Sequence, residues 1–199
     1  MEAPMKRYSV ILFGMLSTFG IPSTIAGARD LKLPAQRTAF LCFESFRDPL
    51  VLRQAMALAK KIYAGIGVEL QWNFKPRSCP TDGIVVNMAE DTPAQLHPGA
   101  LGGSTPYEGV HMEVFYDRVL EKAEPKAVPI LLAHVLVHES AHILQGTVQH
   151  SETGMMKARW DWHDFLDMLW KPLPFASRDV TLIYMGMDKR SERIISSRR

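Results

Sequence analysis

Apolar positions recur along this chain in two different periods, and the switches between them mark its elements. Residues 39–46 (Ala-Phe-Leu-Cys-Phe-Glu-Ser-Phe) form a short, nearly continuous apolar run, the pattern of a buried strand. Asp48-Pro49 then supplies a capping carboxylate and a proline at the first helical position. Leu52, Ala55, Met56, Ala59, Ile62 and Tyr63 follow at spacings that place them on one helical face, and Gly65 ends that helix. Val68–Trp72 reads as a second strand, Asp82-Gly83 as a turn, and Ile84–Met88 as a third strand. Residues 90–110 lose all periodicity and are interrupted by Pro93, Pro98, Gly99, Gly102, Gly103, Pro106 and Gly109. A loop of that length is uncommon inside a compact domain and often functional.

Val110–Tyr116 alternates enough to predict a fourth strand. Val128–Gln145 is a long apolar helix, with Pro129 near its start and Gly146 just past its end. A further helix is expected around Asp161–Leu169. Pro172 and Pro174 interrupt the chain, and Asp179 is expected to cap a last helix running to about Lys189. The order implies an α+β fold: a small mixed sheet of about four strands packed on the long apolar helix, with helices at the C-terminal end.

Charge and composition remove several classes of function. A formal net charge of +2 over 199 residues, with the basic residues scattered, is not the footprint of a nucleic-acid-binding protein. The N-terminus carries a positive pair, Lys6-Arg7, then the uncharged, mostly apolar run Tyr8–Gly20, a break at Pro22-Ser23, and Ala26-Gly27-Ala28. That is the layout of a secretory signal peptide. Residues 1–28 are therefore expected to be removed and residues 29–199 to form one domain, secreted or periplasmic. The apolar run is shorter than the ~20 residues a membrane-spanning helix needs, so no stable membrane insertion is expected after cleavage. The cysteines, Cys42 and Cys79, can form a disulfide in an oxidising compartment or remain two buried thiols; an exported chain favours the disulfide.

The chemistry concentrates in His138-Glu139-Ser140-Ala141-His142. In a helix, residues four apart share a face about 6 Å apart along the axis, so these imidazoles can converge on one metal ion. Glu139 is then placed to reach a water at the same centre. The motif sits in a strongly apolar helix, where an unpartnered histidine or glutamate is costly to bury. Gly146 lets the chain turn, and His150 arrives as a third ligand; a carboxylate from Asp161 or Asp164 is the alternative. His134 lies on the same stripe, but ~12 Å of helix separates it from His142, so it is a packed or supporting histidine. His97, His111 and His163 lack ligand spacing, with His111 a minor cleft candidate. Tyr107 and Tyr116 are candidates for stabilising an oxyanion.

The stretch His138-Glu-Ser-Ala-His142-Ile-Leu-Gln-Gly146-Thr-Val-Gln-His150-Ser151, followed by Gly154-Met155-Met156, resembles the elongated zinc motif and methionine turn of metzincin-type peptidases. It also resembles a family of small secreted bacterial proteins carrying H-E-x-x-H-x-x-x-G-x-x-x-H-S and then G-x-M. This likeness extends to Phe115-Tyr116-Asp117-Arg118-Val119 and Lys171-Pro-Leu-Pro-Phe175. Glycine comes one residue later, and the third histidine two residues later, than in the usual metzincin pattern. The resemblance implies a zincin or metzincin-like fold, Zn2+ held by His138, His142 and His150, Glu139 as general base, and a peptide or protein substrate. It implies that Met156, more than Met155, forms the floor beneath the metal. It also suggests that the strand at Val110–Tyr116 lines the cleft. The competing expectation is a secreted zinc-binding module without turnover, closed by a fourth protein ligand or a covered cleft.

Overall fold

The computed structural model describes residues 37–43 and 46–197. Its centre is a fully buried helix. α3 (Val128–Gln145) is mostly apolar and is buried on every side, with each residue from Leu131 to Gln145 buried. A helix of that composition is stable only when other elements surround it. A sheet, a helix on either side and an irregular segment beyond Gly146 do so.

The sheet contains β1 (Arg37–Phe43), β2 (Val68–Asn73), β3 (Ile84–Ala89), β4 (Gly102–Ser104) and β5 (His111–Phe115), in the order β2-β1-β3-β5-β4. β1 pairs in parallel with β2 and β3, β3 in parallel with β5, and β4 runs antiparallel to β5 at the edge. β1 sits inside the sheet, and its Leu41, Cys42 and Phe43 are all buried. This is why its sequence reads as an apolar run rather than an alternation.

α1 (Pro49–Ala64) crosses between β1 and β2. Asp48 Oδ1 accepts the Val51 N–H at 3.2 Å at its start. Leu52, Ala55, Ala59, Ile62 and Tyr63 are its buried residues, and it packs on α3. There the Tyr63 hydroxyl pairs with Ser140 Oγ at 2.8 Å. Cys42 and Cys79 form a disulfide that ties β1 to the segment before β3.

Three expectations need correction. The aperiodic stretch 90–110 contains β4, which brings the sheet to five strands. Gly-Gly-Ser has too little side chain to show alternation, so only its pairing with Met112–Val114 defines it. Tyr116 is not in a strand: β5 ends at Phe115, and α2 (Tyr116–Lys122) begins there. Finally, α5 spans Ser177–Ser197 rather than starting after Asp179 and ending near Lys189. Asp179 lies within its first turn and accepts the Ala176 N–H at 3.1 Å. The helix outlasts its sequence signals because tertiary contacts hold its far half: the Arg190 guanidinium donates to the carbonyl oxygens of Gly109 and Asp82. α5 also approaches α3 so closely that a Cβ on Gly186 would lie 1.7 Å from the Leu144 carbonyl oxygen. Between them, α4 (Trp162–Trp170) starts with a capping box of Asp161 and Asp164.

The described residues belong to one compact unit. No helix among the described residues is long and apolar enough to cross a membrane. The expected signal peptide, residues 1–28, lies outside the described residues.

Candidate metal centre

α3 ends where its apolar sequence meets Gly146, which adopts the left-handed conformation at φ 69° and donates to the His142 carbonyl at 2.9 Å. The chain then reverses through Thr147–His150. His150 Nε2 lies 3.2 Å from His142 Nε2, which in turn lies 3.1 Å from His138 Nε2. Among the described residues these three form the one cluster with metal-ligand geometry, their ligand atoms all within 4.8 Å of one another.

The short distance between His138 and His142 is not a hydrogen bond. His138 Nδ1 faces the Met155 carbonyl oxygen at 2.8 Å, and His142 Nδ1 faces that of Thr147 at 2.9 Å. A carbonyl only accepts, so both rings carry their proton on Nδ1 and point an Nε2 lone pair at the cluster. Burial, and then the neighbouring imidazoles, push His138 down to about 3; burial chiefly brings His142 to about 4 and also lowers His150. Neutral rings with converging lone pairs repel one another unless a cation lies between them. A tetrahedral zinc site with Zn–N of about 2.0–2.1 Å has ligand–ligand edges of about 3.3 Å; two of the three edges here, at 3.1 and 3.2 Å, are close to that, and the third lies within 4.8 Å. The donor set therefore fits zinc, and carbonyl-held imidazoles are the usual support for such ligands.

The other candidates sort themselves out. Asp161 and Asp164 lie outside the histidine cluster: both carboxylates cap α4, and both accept from Lys157 Nζ at 2.6 Å. His134 is a packed histidine whose Nδ1 donates to the Ile130 carbonyl and whose Nε2 accepts the Leu173 N–H. His111 is exposed beside Glu108, and His163 is exposed against Trp162. Met155 and Met156 are both wholly buried, and Met155 supplies the backbone oxygen for His138. Tyr107 is 80% exposed, and Tyr116 is buried against Phe46; neither lines the cleft described below.

Glu139 is 8% exposed, and its Oε2 accepts from Ser104 Oγ at 2.9 Å. Burial raises it to about 7, with the Ser104 bond opposing. The strand beside it has no room for a side chain at Gly102, where a Cβ would lie 2.9 Å from Glu139 Cγ and 2.8 Å from the Glu113 carbonyl oxygen. The strand lining the site is thus β4, whereas the Val110–Tyr116 segment expected there supplies β5, whose two edges are taken by β3 and β4.

A cleft of roughly 1090 Å³ opens over His138, Glu139, His142 and His150, walled by residues 97–104 on one side and by Trp160 and Phe165 on the other. His97, which lacks ligand spacing in the sequence, is an exposed loop residue at the rim of this cleft, with φ 43°. α2 holds the first wall. Asp117 accepts the Thr92 N–H and hydroxyl, and the Arg118 guanidinium donates to the carbonyl oxygens of Pro93, Leu96, His97 and Ala100 at 2.7–3.0 Å. Tyr116-Asp117-Arg118 belonged to the resemblance without a mechanism; the loop it braces supplies one. Ser104 and Gly102 had no signal beyond the glycine-rich loop, and Trp160, edge-on to His138 with ring centroids 5.4 Å apart, had none of its own.

No protein-family model matches this chain, and no curated protein sequence matches it. Among solved structures it is similar to archaemetzincin from Methanopyrus kandleri, at 14% identity and a TM-score of 0.51, over 77% of this chain and 96% of that one. The fold is zincin/metzincin-like. At that identity the likeness speaks for the fold alone.

Proposed function

We propose that this protein is a secreted zinc-dependent peptidase in which His138, His142 and His150 hold the metal and Glu139 is the general base. The observation that carries the reading is the convergence of three neutral imidazoles beneath an open cleft, with a buried carboxylate one residue along the helix. Held by three imidazoles, zinc supplies Lewis acidity: it polarises a carbonyl and makes water acidic near neutral pH.

The chain's own groups do the rest. Ser104 occupies Glu139 Oε2, which leaves Oε1 to take the proton of the attacking water and return it to the departing amine. β4, the antiparallel edge of the sheet, offers backbone groups to an extended peptide. The braced 92–100 segment walls the peptide's path. Against a closed zinc module stands the absence of a fourth histidine, cysteine or carboxylate from the cluster among the described residues.

Export is part of the proposal. It is supported by the N-terminal pattern and by the Cys42–Cys79 disulfide, a bond that persists in oxidising compartments. N-terminal sequencing of the exported protein should begin near Arg29.

Zinc content and hydrolysis of a peptide library, compared between wild type and Glu139→Gln, test the chemistry. Loss of about 10²–10⁴-fold in turnover with zinc retained is expected. Equal turnover by the two proteins removes Glu139 from the role of base.

A further inference from the structure

The three imidazoles are not held alike. His138 and His142 are each fixed by a ring hydrogen bond to a carbonyl, whereas among the described residues His150 Nδ1 has no such partner. His150 also stands on irregular chain and is the exposed member of the cluster. What fixes it is the next residue. The Ser151 N–H donates to the Met156 carbonyl at 2.8 Å, and Ser151 Oγ donates to Asp179 Oδ1 at 2.6 Å.

Asp179 is unusual in its own right. It is 3% exposed, yet among the described residues its carboxylate receives only the Ser151 hydroxyl and the Ala176 N–H. No lysine, arginine or histidine among the described residues forms an ion pair with it. The adjacent Arg178 donates instead to Gln149. A buried carboxylate without a countercharge is costly. A cation held by His138, His142 and His150 would supply the positive charge that no neighbouring side chain among the described residues gives Asp179.

We infer that Asp179 is an outer carboxylate of the metal centre: through Ser151 it positions the third ligand, and its charge balances part of the cation's. Asp179 touches no metal and no reacting atom, so it is a positioning residue. The pattern could be read before the structure only as a serine following His150 and an aspartate near the start of the last helix. α5 brings them together across a sequence separation of 28.

The inference rests on the metal-binding half of the proposed function and not on turnover, so its test is zinc affinity. The full mature chain would be titrated against a competing chelator as wild type, Asp179→Asn, Ser151→Ala and, as a control, Asp167→Asn on the exposed face of α4. Outer groups of this kind contribute about 10–100-fold to metal affinity. Asp179→Asn should weaken zinc binding by that factor, Ser151→Ala by about tenfold, and Asp167→Asn not at all. The zinc-induced rise in melting temperature should shrink in the same order. Wild-type affinity in a folded Asp179→Asn protein overturns the inference. If that variant does not fold, wild-type affinity in Ser151→Ala overturns it. A wild type that binds no divalent metal removes the proposed centre itself, a separate and distinguishable result.

Discussion

Gly102→Ala isolates the strand that aligns the base. A Cβ there meets Glu139 Cγ at 2.9 Å and Oε1 at 3.1 Å on one side, and the Glu113 carbonyl oxygen at 2.8 Å on the other. A real Cβ essentially never comes within 3.0 Å of such an atom, and ordinary contact begins at 3.4 Å, so each side must give by a few tenths of an ångström. The strand cannot recede from Glu139, because β5 is hydrogen-bonded behind it. Overpacking of this size destabilises by about 1–3 kcal/mol, roughly 3–10 °C in Tm for a chain of this length. Turnover falls as well: a misplacement of about 1 Å costs ~10²-fold, and a shift of a few tenths of that roughly threefold to tenfold. Gly103→Ala is the matched control: its nearest neighbour would be Phe115 Cζ at 4.0 Å, ordinary contact. Melting curves, zinc content and kcat/KM for both variants decide the matter. Gly102→Ala should keep its zinc and lose roughly threefold to tenfold in kcat, with Gly103→Ala close to wild type. Equal kinetics for the two variants would refute the placement of β4 against Glu139.

Arg118→Ala removes the four carbonyl contacts that brace the cleft wall. A charged hydrogen bond contributes about 1.5–3 kcal/mol, so amide exchange across residues 93–100 should quicken at least tenfold, with KM raised more than kcat is lowered. Arg118→Lys should not rescue it, because an ammonium cannot span four acceptors in a plane; unchanged exchange in either variant counts against the brace. Replacing both Cys42 and Cys79 by alanine opens the disulfide loop of sequence separation 37, which should lower stability by about 3–4 kcal/mol in urea melts. An unmoved midpoint would mean the bond does not form in the protein.

The parts legible in the sequence are those whose signals are local. β1, α1, β2, β3 and α3 carry their own burial pattern, caps and breakers, from Asp48-Pro49 through Gly65 to Pro129 and Gly146. His138 and His142 are set by helical spacing, and His150 by the turn at Gly146. What stayed hidden is defined by partners far along the chain. β4 exists because Gly102 and Ser104 pair with Val114 and Met112, a register that three small residues cannot announce. α2 is too short for periodicity, and its purpose lies in carbonyl groups of a loop some twenty residues earlier. The second half of α5 is sustained by Arg190 reaching Gly109 and Asp82. Asp161 and Asp164 are plausible ligands by residue type, but Lys157 and the start of α4 claim them.

The direct check on the centre is zinc-edge X-ray absorption of the metal-loaded chain. Three nitrogen scatterers at about 2.0–2.1 Å with imidazole signatures, completed by one oxygen, are expected, and His150→Ala should remove one of the nitrogens. A shell containing sulfur, four protein nitrogens, or fewer than three imidazoles would contradict the assignment.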